Sequence, residues 1–330
     1  MANIIEVSRT RIDQITVDLV KLLRDRELLS IEISKAKAEK GIGILDKNRE
    51  TVVLEKARDA AVRFGANQKS VDKIFRVLIN DSKRIQKRVL LEQQVTELVS
   101  KHDSRTIPLN NDNKIVSINN VDFALPKGLL HQFADIARNA FGKSKKQSDM
   151  ENHVKGDMLH LLFHDGELAG FASYIKYSYS GKTILYLNGI AIDKNYQKNG
   201  LFYGSLSAAL DEVNPDYLTM RTQSMVVYWA TQNLVGSAYP NANAPDAEAI
   251  EIGKHVASKL GMDGYLADQF VERGTYGKSL YGYVPTVDNL ELLHLFNSKL
   301  GMDNGRGDSI VIVCPINKGH ADLSSVVRGD

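Results

Sequence analysis

Residues Arg9 to Glu50 read RTRIDQITVDLVKLLRDRELLSIEISKAKAEKGIGILDKNRE. From Ala2 to Lys40 the chain has neither Gly nor Pro, and Ile5, Ile12, Ile15, Leu19, Leu22, Leu29 and Ile33 recur at steps of three, four or seven. This is the stripe of one long helix, which Gly41-Ile42-Gly43 would stop. At ~1.5 Å per residue such a helix spans roughly 55 Å, more than a small globule covers. The stripe is therefore expected to pack on a second copy of the chain, giving a helical homodimer.

The polar residues of the helix point to a ligand. Arg26 and Lys37 are eleven residues apart, about three turns, so they share a face and can look into one pocket. Arg9 lies seventeen residues before Arg26, roughly 25 Å along the axis, and would have to act from the partner copy. Beyond the glycines, Asp46 stands where an N-cap belongs, with Arg49 and Glu50 following on the same side of a second helix that ends near Arg63-Phe64-Gly65. Ser70 is placed to cap a third helix running to about Val99, with Ile74, Val77, Leu78 and Ile85 inward. On it Ser82 and Gln86 are four apart and share a face.

Arg9, Arg26, Lys37, Asp46, Arg49, Glu50, Ser82 and Gln86, with the patterns KAK, DKNRE and INDSKRIQ around them, resemble the all-helical class of chorismate mutase over residues 5 to 95. That resemblance implies an intertwined three-helix dimer that converts chorismate to prephenate, a step of aromatic amino acid biosynthesis, without a cofactor. The rearrangement is unimolecular and pericyclic, so catalysis must come from holding a compact conformer and stabilising charge on the breaking ether oxygen. By resemblance, Arg26 and the partner copy's Arg9, helped by Arg49 and Ser82, bind the two carboxylates, for which the planar guanidinium is suited. Lys37 and Gln86 donate to the ether oxygen, and Glu50 with Asp46 holds the ring hydroxyl. Two alternatives stand beside this: the same scaffold acting on the 4-amino-4-deoxy analogue, or as an isochorismate lyase.

Composition changes near residue 105. All seven prolines, all thirteen tyrosines and the one tryptophan follow it, whereas the first 104 residues hold only Phe64 and Phe75 as aromatics. The 330 residues are enough for two domains, expected at 1–100 and 115–330 with a polar linker, SKHDSRTIPLNNDNK, through residues 101–114. A net charge of +2 gives no whole-molecule attraction for nucleic acid or an anionic membrane. The one cysteine, Cys314, excludes an internal disulfide. His153, His160, His164 and His255 lack zinc-ligand spacing. With no long apolar run and no secretory h-region at the N-terminus, the expectation is a cytoplasmic protein. Two RGD triplets, at Arg306 and Arg328, read as turn and tail residues.

After the expected linker, Lys114–Asn119 reads as a strand and Leu129–Phe141 as a helix. Met158–His164 and Leu168–Tyr177 are apolar runs joined by Asp165-Gly166, a hairpin signal, and Ile184–Ile192 follows Ser180-Gly181. Then come a helix at Leu201–Val213, a strand at Tyr217–Thr222, helices at Ala247–Leu260 and Asn289–Leu300, and a closing strand at Ser309–Cys314. The order predicts an α+β domain with a mainly antiparallel sheet.

The strand–loop–helix from Ile184 to Val213, with Gln197-Lys198-Asn199-Gly200-Leu201 directly after GIAID, resembles the GNAT superfamily of N-acetyltransferases. The resemblance implies acetyl-CoA, its pyrophosphate cradled by loop N–H groups and the following helix N-terminus, and its thioester along Ile190, Ala191 and Ile192. An amine would be the acceptor. Phe202 stands where the family has a small residue, and Ser224 and Thr231 stand where it often has Asn and Tyr. Tyr228 is then the candidate general acid. The rival reading is a binding or regulatory module that has kept the fold without the chemistry.

Overall fold

The computed structural model describes residues 2–39, 46–142 and 147–317. The Gly41-Ile42-Gly43 stop and the RGD triplet at Arg328 lie outside the described residues. The chain divides into two compact units, Met1–Ser100 and Lys101–Asp330.

The first unit is three helices: α1 (Ala2–Glu39), α2 (Lys47–Arg63) and α3 (Gln68–Lys101, whose last residue belongs to the second unit). Asp46 caps α2 as its sequence position suggests, its Oδ1 accepting from the Arg49 N–H at 2.9 Å. The cap of α3 falls three residues earlier than expected: Asn67 Oδ1 accepts from the Ser70 N–H at 3.0 Å. Ser70 is the donor there because Asn, with a side-chain carbonyl and tolerance of turn backbone, competes for the same role.

The core of this unit is thin. Ala57 and Ala61 of α2 and Ile79, Ile85, Val89, Leu91, Val95 and Leu98 of α3 are buried. On α1 the only buried residues among those described are Ser30 and Ser34. Ser34 Oγ donates to the Gln86 carbonyl of α3 at 2.9 Å, so a small hydroxyl residue sits where the two helices approach. The whole apolar stripe, including Ile5, Ile12, Ile15, Leu19, Leu22, Leu29 and Ile33, is exposed in the single chain. So are Ile74 and Val77 of α3, which sequence periodicity put inward. Ile85 is buried as expected, and Ile79 is buried beside it in place of Ile74 and Val77, because a helix with two apolar stripes gives periodicity no way to choose between them.

In the second unit nine strands form one sheet in the order β1-β2-β3-β4-β5-β6-β9-β8-β7. They are β1 (Ser104–Pro108), β2 (Asn113–Val121), β3 (Gly156–His164), β4 (Glu167–Tyr179), β5 (Lys182–Ile192), β6 (Tyr217–Thr222), β7 (Tyr265–Leu266), β8 (Val271–Glu272) and β9 (Ser309–Pro315). Every pairing is antiparallel except β5 with β6. With its helices this is an α+β fold. The helices are α4 (Lys127–Phe141), α5 (Gln147–Val154), α6 (Leu201–Val213), α7 (Met225–Val235), α8 (Ala247–Lys259) and α9 (Leu290–His294), the last continuing as a π-helical turn over Leu295–Lys299. Asp165-Gly166 and Ser180-Gly181 both have positive φ at the two turn positions, the backbone that a tight hairpin requires.

Alternate strand residues face opposite layers. Leu185, Leu187, Leu218, Met220, Ile310 and Ile312 pack with α6 and α7, while Ile184, Tyr186, Tyr217, Val311 and Val313 pack with α8. Among the described residues no helix is long and apolar enough to cross a membrane, and no cluster of His, Cys, Asp and Glu is arranged to hold a metal. Of the histidines, His160 is fully buried with Nδ1 3.0 Å from Ser205 Oγ, and burial drives its imidazole down to about 3.

The polar segment read as a linker is part of this sheet. Residues 104–108 are β1, paired with β2 from Ser104–Ile118 to Pro108–Lys114. The turn between them is an Asx turn: Asn110 Oδ1 accepts from the N–H groups of Asp112 and Asn113 at 3.0 and 2.7 Å. Asn and Asp are turn formers inside hairpins as much as in linkers, so composition misplaced this boundary.

Candidate functional site

In the first unit, the eight candidate residues are distributed as follows. Arg26 and Lys37 are half-buried on α1, and Glu50 is half-buried on α2. Ser82 and Gln86 are half-buried on α3. Arg9, Asp46 and Arg49 are exposed, Arg9 pairing with Glu6 on its own helix at 3.1 Å. Glu50 meets Lys83 of α3 at 3.2 Å, a cross-helix ion pair that spacing on one helix did not reveal.

Two of the candidates carry buried polar atoms with no partner: Nε of Arg26 and Oε1 of Gln86. They sit on the two helices joined by the Ser34–Gln86 bond. A buried unmatched donor or acceptor costs roughly 1–3 kcal/mol, and such groups are retained in native proteins where something else completes them.

Residues 8–87 match the family model of chorismate mutase type II. The curated chorismate mutase of Methanocaldococcus jannaschii is 31% identical over 86 residues, which are 26% of this chain and 87% of that protein. The chain belongs to the chorismate mutase family. The first unit is thus the isomerase unit of a longer protein, and the second unit is additional to it.

In the second unit, β5 and β6 pair only from Ile184–Tyr217 to Leu187–Met220. Beyond that point β5 stays on β4 as far as Ile192 and β6 stays on β9 as far as Thr222. The β6-facing backbone from Asn188 to Ile192 therefore lies outside the ladder. A register shift on β4–β5 at this level leaves Asn188 unpaired, and such a bulge bends the strand. A cavity of about 500 Å³ opens there, between the end of β5, the loop that follows it and the start of α7.

Seven of the eight residues suggested for a cofactor line that cavity: Ile190, Ala191, Ile192, Gln197, Lys198, Gly200 and Leu201. Gln197 folds back, its Nε2 donating to the Ile192 carbonyl at 3.1 Å. Lys198 and Gly200 have φ of 70° and 75°, and Gly200 in this left-handed state is the N-cap of α6. Asn199 turns away, and its carbonyl accepts from Asn113 Nδ2 at 2.7 Å. The amide of Asn113 is itself fixed by His164 Nδ1 at 2.7 Å from its Oδ1. Asn113, placed by sequence in a linker, is the brace of this loop. Phe202 is part of the wall.

Tyr228, the sequence candidate for a general acid, is fully buried and is not part of this wall. Its hydroxyl donates to the carbonyls of Pro240 and Ala238, so it is a core tyrosine. Tyr281, half-buried, reaches the cavity wall instead, lining both this cavity and the one beside it. Burial pushes its phenol well above the usual value, against hydrogen bonding to Ser224. Its signal in the sequence is the aromatic run Tyr281-Gly282-Tyr283, far from the loop that it faces.

Solved structures similar to the second unit include the ribosomal-protein-S18-alanine N-acetyltransferase of Escherichia coli. It is 17% identical, with 64% of this chain and 97% of that chain covered and a TM-score of 0.33. Another is the catalytic domain of the Tetrahymena GCN5 histone acetyltransferase in complex with coenzyme A, at 12% identity, 64% and 96% coverage and a TM-score of 0.28. At these values the reading of the second unit is carried by its own strand order and cavity.

Proposed function

We propose that the first unit converts chorismate to prephenate in a site completed by a second copy of the chain. The observation that carries this is the buried donor Arg26 Nε, unmatched within the chain and of the kind a substrate carboxylate completes, on a helix held to α3 at Ser34. Arg26, Arg49, Ser82 and Arg9 of the partner subunit grip the two carboxylates. Lys37 and Gln86 donate to the ether oxygen as its bond to carbon breaks and the new carbon–carbon bond forms. Glu50, oriented by Lys83, and Asp46 hold the ring hydroxyl. No proton is transferred, and the amide of Gln86 is neutral at all ordinary pH values, so turnover persists at neutral pH.

Exposure of the α1 stripe supports the dimer. Covering a Leu or Ile side chain is worth about 1.5–3 kcal/mol, and α1 alone exposes Ile5, Ile12, Ile15, Leu19, Leu22, Leu29 and Ile33. The experiment is complementation. Arg9→Ala and Arg26→Ala proteins are each expected to be inactive, and co-refolding them should regenerate a fraction of intact sites with measurable loss of chorismate. Absence of recovery in a sample shown to contain mixed dimers would rule out the shared site.

For the second unit we infer an acyl-CoA-dependent N-acyltransferase. What supports this is the opening between β5 and β6 beside a loop with two left-handed residues at the start of α6. Lys198 and the loop N–H groups suit a pyrophosphate, and Tyr281, kept protonated by its surroundings, is placed to return a proton to the departing thiolate. Calorimetric titration of the full chain with acetyl-CoA is expected to give micromolar binding. Gly200→Leu, which forces a branched side chain into the left-handed region, is expected to weaken it at least about tenfold while the circular dichroism is unchanged. Unaltered affinity in the variant would remove the loop from the site.

A further inference from the structure

A second cavity of about 380 Å³ lies against the first, and the two share Phe141, Ile190, Ala191, Val227 and Tyr281 in their walls. We propose that it is the acceptor subsite and that it takes amino acids with apolar side chains, the carboxylate held by Arg221 and the α-amine directed at the thioester. The proposal rests on the acyl-CoA reading of the neighbouring cavity and names the acceptor class for it.

Arg221 follows Met220, the last β6 residue paired with β5, so it stands where the two strands part. Its guanidinium carbon is 5.0 Å from the centroid of the Tyr276 ring, which fixes the plane of the group. Its Nε is buried without a hydrogen-bond partner. Among the described residues no Asp or Glu lines this cavity. A guanidinium placed on an aromatic face, in a cavity that no Asp or Glu lines, is a site for an external carboxylate, which it can bind through two parallel hydrogen bonds.

The other walls set the rest of the ligand. Phe141, Met150, Phe171, Leu187 and Tyr276 are apolar or aromatic, and Asn152 and Asn188 are neutral amides beside them, a lining suited to an uncharged side chain and without an anion for a second positive charge. A polycationic amine would find a positive charge and no anion to meet. In the transfer step the neutral amine nitrogen attacks the thioester carbonyl carbon at the common wall by Ile190 and Ala191. The C–N bond forms, the C–S bond breaks, the amine loses a proton, and coenzyme A leaves as a thiolate that is protonated to the thiol.

The test uses the full chain with saturating acetyl-CoA and measures free thiol released. Leucine and phenylalanine are compared with isoamylamine, phenethylamine and the two amino acid amides. Release is expected with the amino acids and at least about tenfold lower kcat/KM with the compounds lacking a carboxylate. Arg221→Gln should raise KM for the amino acid about 10–100-fold, the range for a lost charge-assisted hydrogen-bond pair. It should leave kcat less affected and the affinity for acetyl-CoA unchanged, and Arg221→Lys should restore part of the loss. Equal use of the decarboxylated amines, an unchanged KM in Arg221→Gln, or no turnover of any amino acid by protein that binds acetyl-CoA would each overturn the acceptor assignment. Failure of the wild-type chain to bind acetyl-CoA would instead bring down the acyl-CoA reading itself, and this one with it.

Discussion

Lys37→Ala is expected to lower the turnover number for chorismate by ~10² or more. The size of the effect follows from the chemistry. The substrate needs no nucleophile and no base, so stabilising charge that appears on the ether oxygen only in the transition state is one of the few ways a protein can lower the barrier. Lys37 stands one turn beyond Ser34, the residue bonded to the Gln86 carbonyl, so both proposed donors approach from the same end of the α1–α3 contact. Because the interaction is made in the transition state, kcat should fall and KM should move little. The measurement is steady-state loss of chorismate by a variant whose helicity and oligomeric state match the parent. Turnover within a few-fold of wild type would sink the assignment of Lys37 and weaken that of Gln86 with it.

Asp308→Ala is expected to destabilise the second unit by about 2–3 kcal/mol, from the loss of its charge-assisted hydrogen bonds and the two backbone N–H groups left without their acceptor. Asp308 is fully buried immediately before β9. Its Oδ1 accepts from Arg306 Nε at 2.7 Å and the Gly274 N–H at 2.9 Å, and its Oδ2 accepts from Arg273 Nη1 and the Asp303 N–H, both at 3.1 Å. Arg273 also donates to the Leu300 and Gly301 carbonyls at 2.6 and 2.8 Å. One carboxylate thus ties the residue after β8, the end of the π-helical turn and β9 into a single knot. The RGD triplet at Arg306 is an internal structural element of this knot.

Burial by itself would push the Asp308 carboxyl up. The hydrogen bonds from Arg306, Gly274, Asp303 and Arg273 outweigh it and hold the group well below the usual carboxylate range. Its folded value is thus lower than its unfolded value near 3.9. The stabilisation is fully present above about pH 4 and is lost as the pH falls from there through the folded value. Urea unfolding of the full chain, followed by tyrosine and tryptophan fluorescence, should show the difference between parent and variant at pH 7 and a smaller one at pH 3. Coincident transitions at pH 7 would show that the knot contributes nothing.

Much of this was open to a reader of the sequence, for local reasons. A run without Gly or Pro with a 3.6-residue apolar period is a helix whatever it packs on, and α1 has the extent that the run predicts. Asp46 before a charged helical run is a cap, and Asp165-Gly166 and Ser180-Gly181 between alternating strands are tight turns, because those properties depend on a few neighbouring residues. What was hidden depends on residues far apart. Asn113 reaches the Asn199 carbonyl across 86 positions, and no local pattern announces it. Tyr228 and Tyr281 are both tyrosines in apolar company; only the Pro240 and Ala238 carbonyls that meet the first and the shared cavity walls at the second tell a core phenol from one that lines a cavity. Ile74 and Val77 were assigned inward because periodicity finds a stripe without saying which neighbour covers it.

The hairpin of β1 and β2 decides where this protein can be cut. Excising the second unit at residue 115, where composition suggests a boundary, would delete β1 and the Asn113 amide together. The strand left at the edge would begin Ile115-Val116-Ser117-Ile118, with the backbone groups that β1 satisfied open to other chains, the arrangement from which aggregates grow. A recombinant fragment would then fail for reasons unrelated to catalysis, and its silence in an acyl-transfer assay would be mistaken for loss of function. A junction upstream of Ser104 keeps the edge covered.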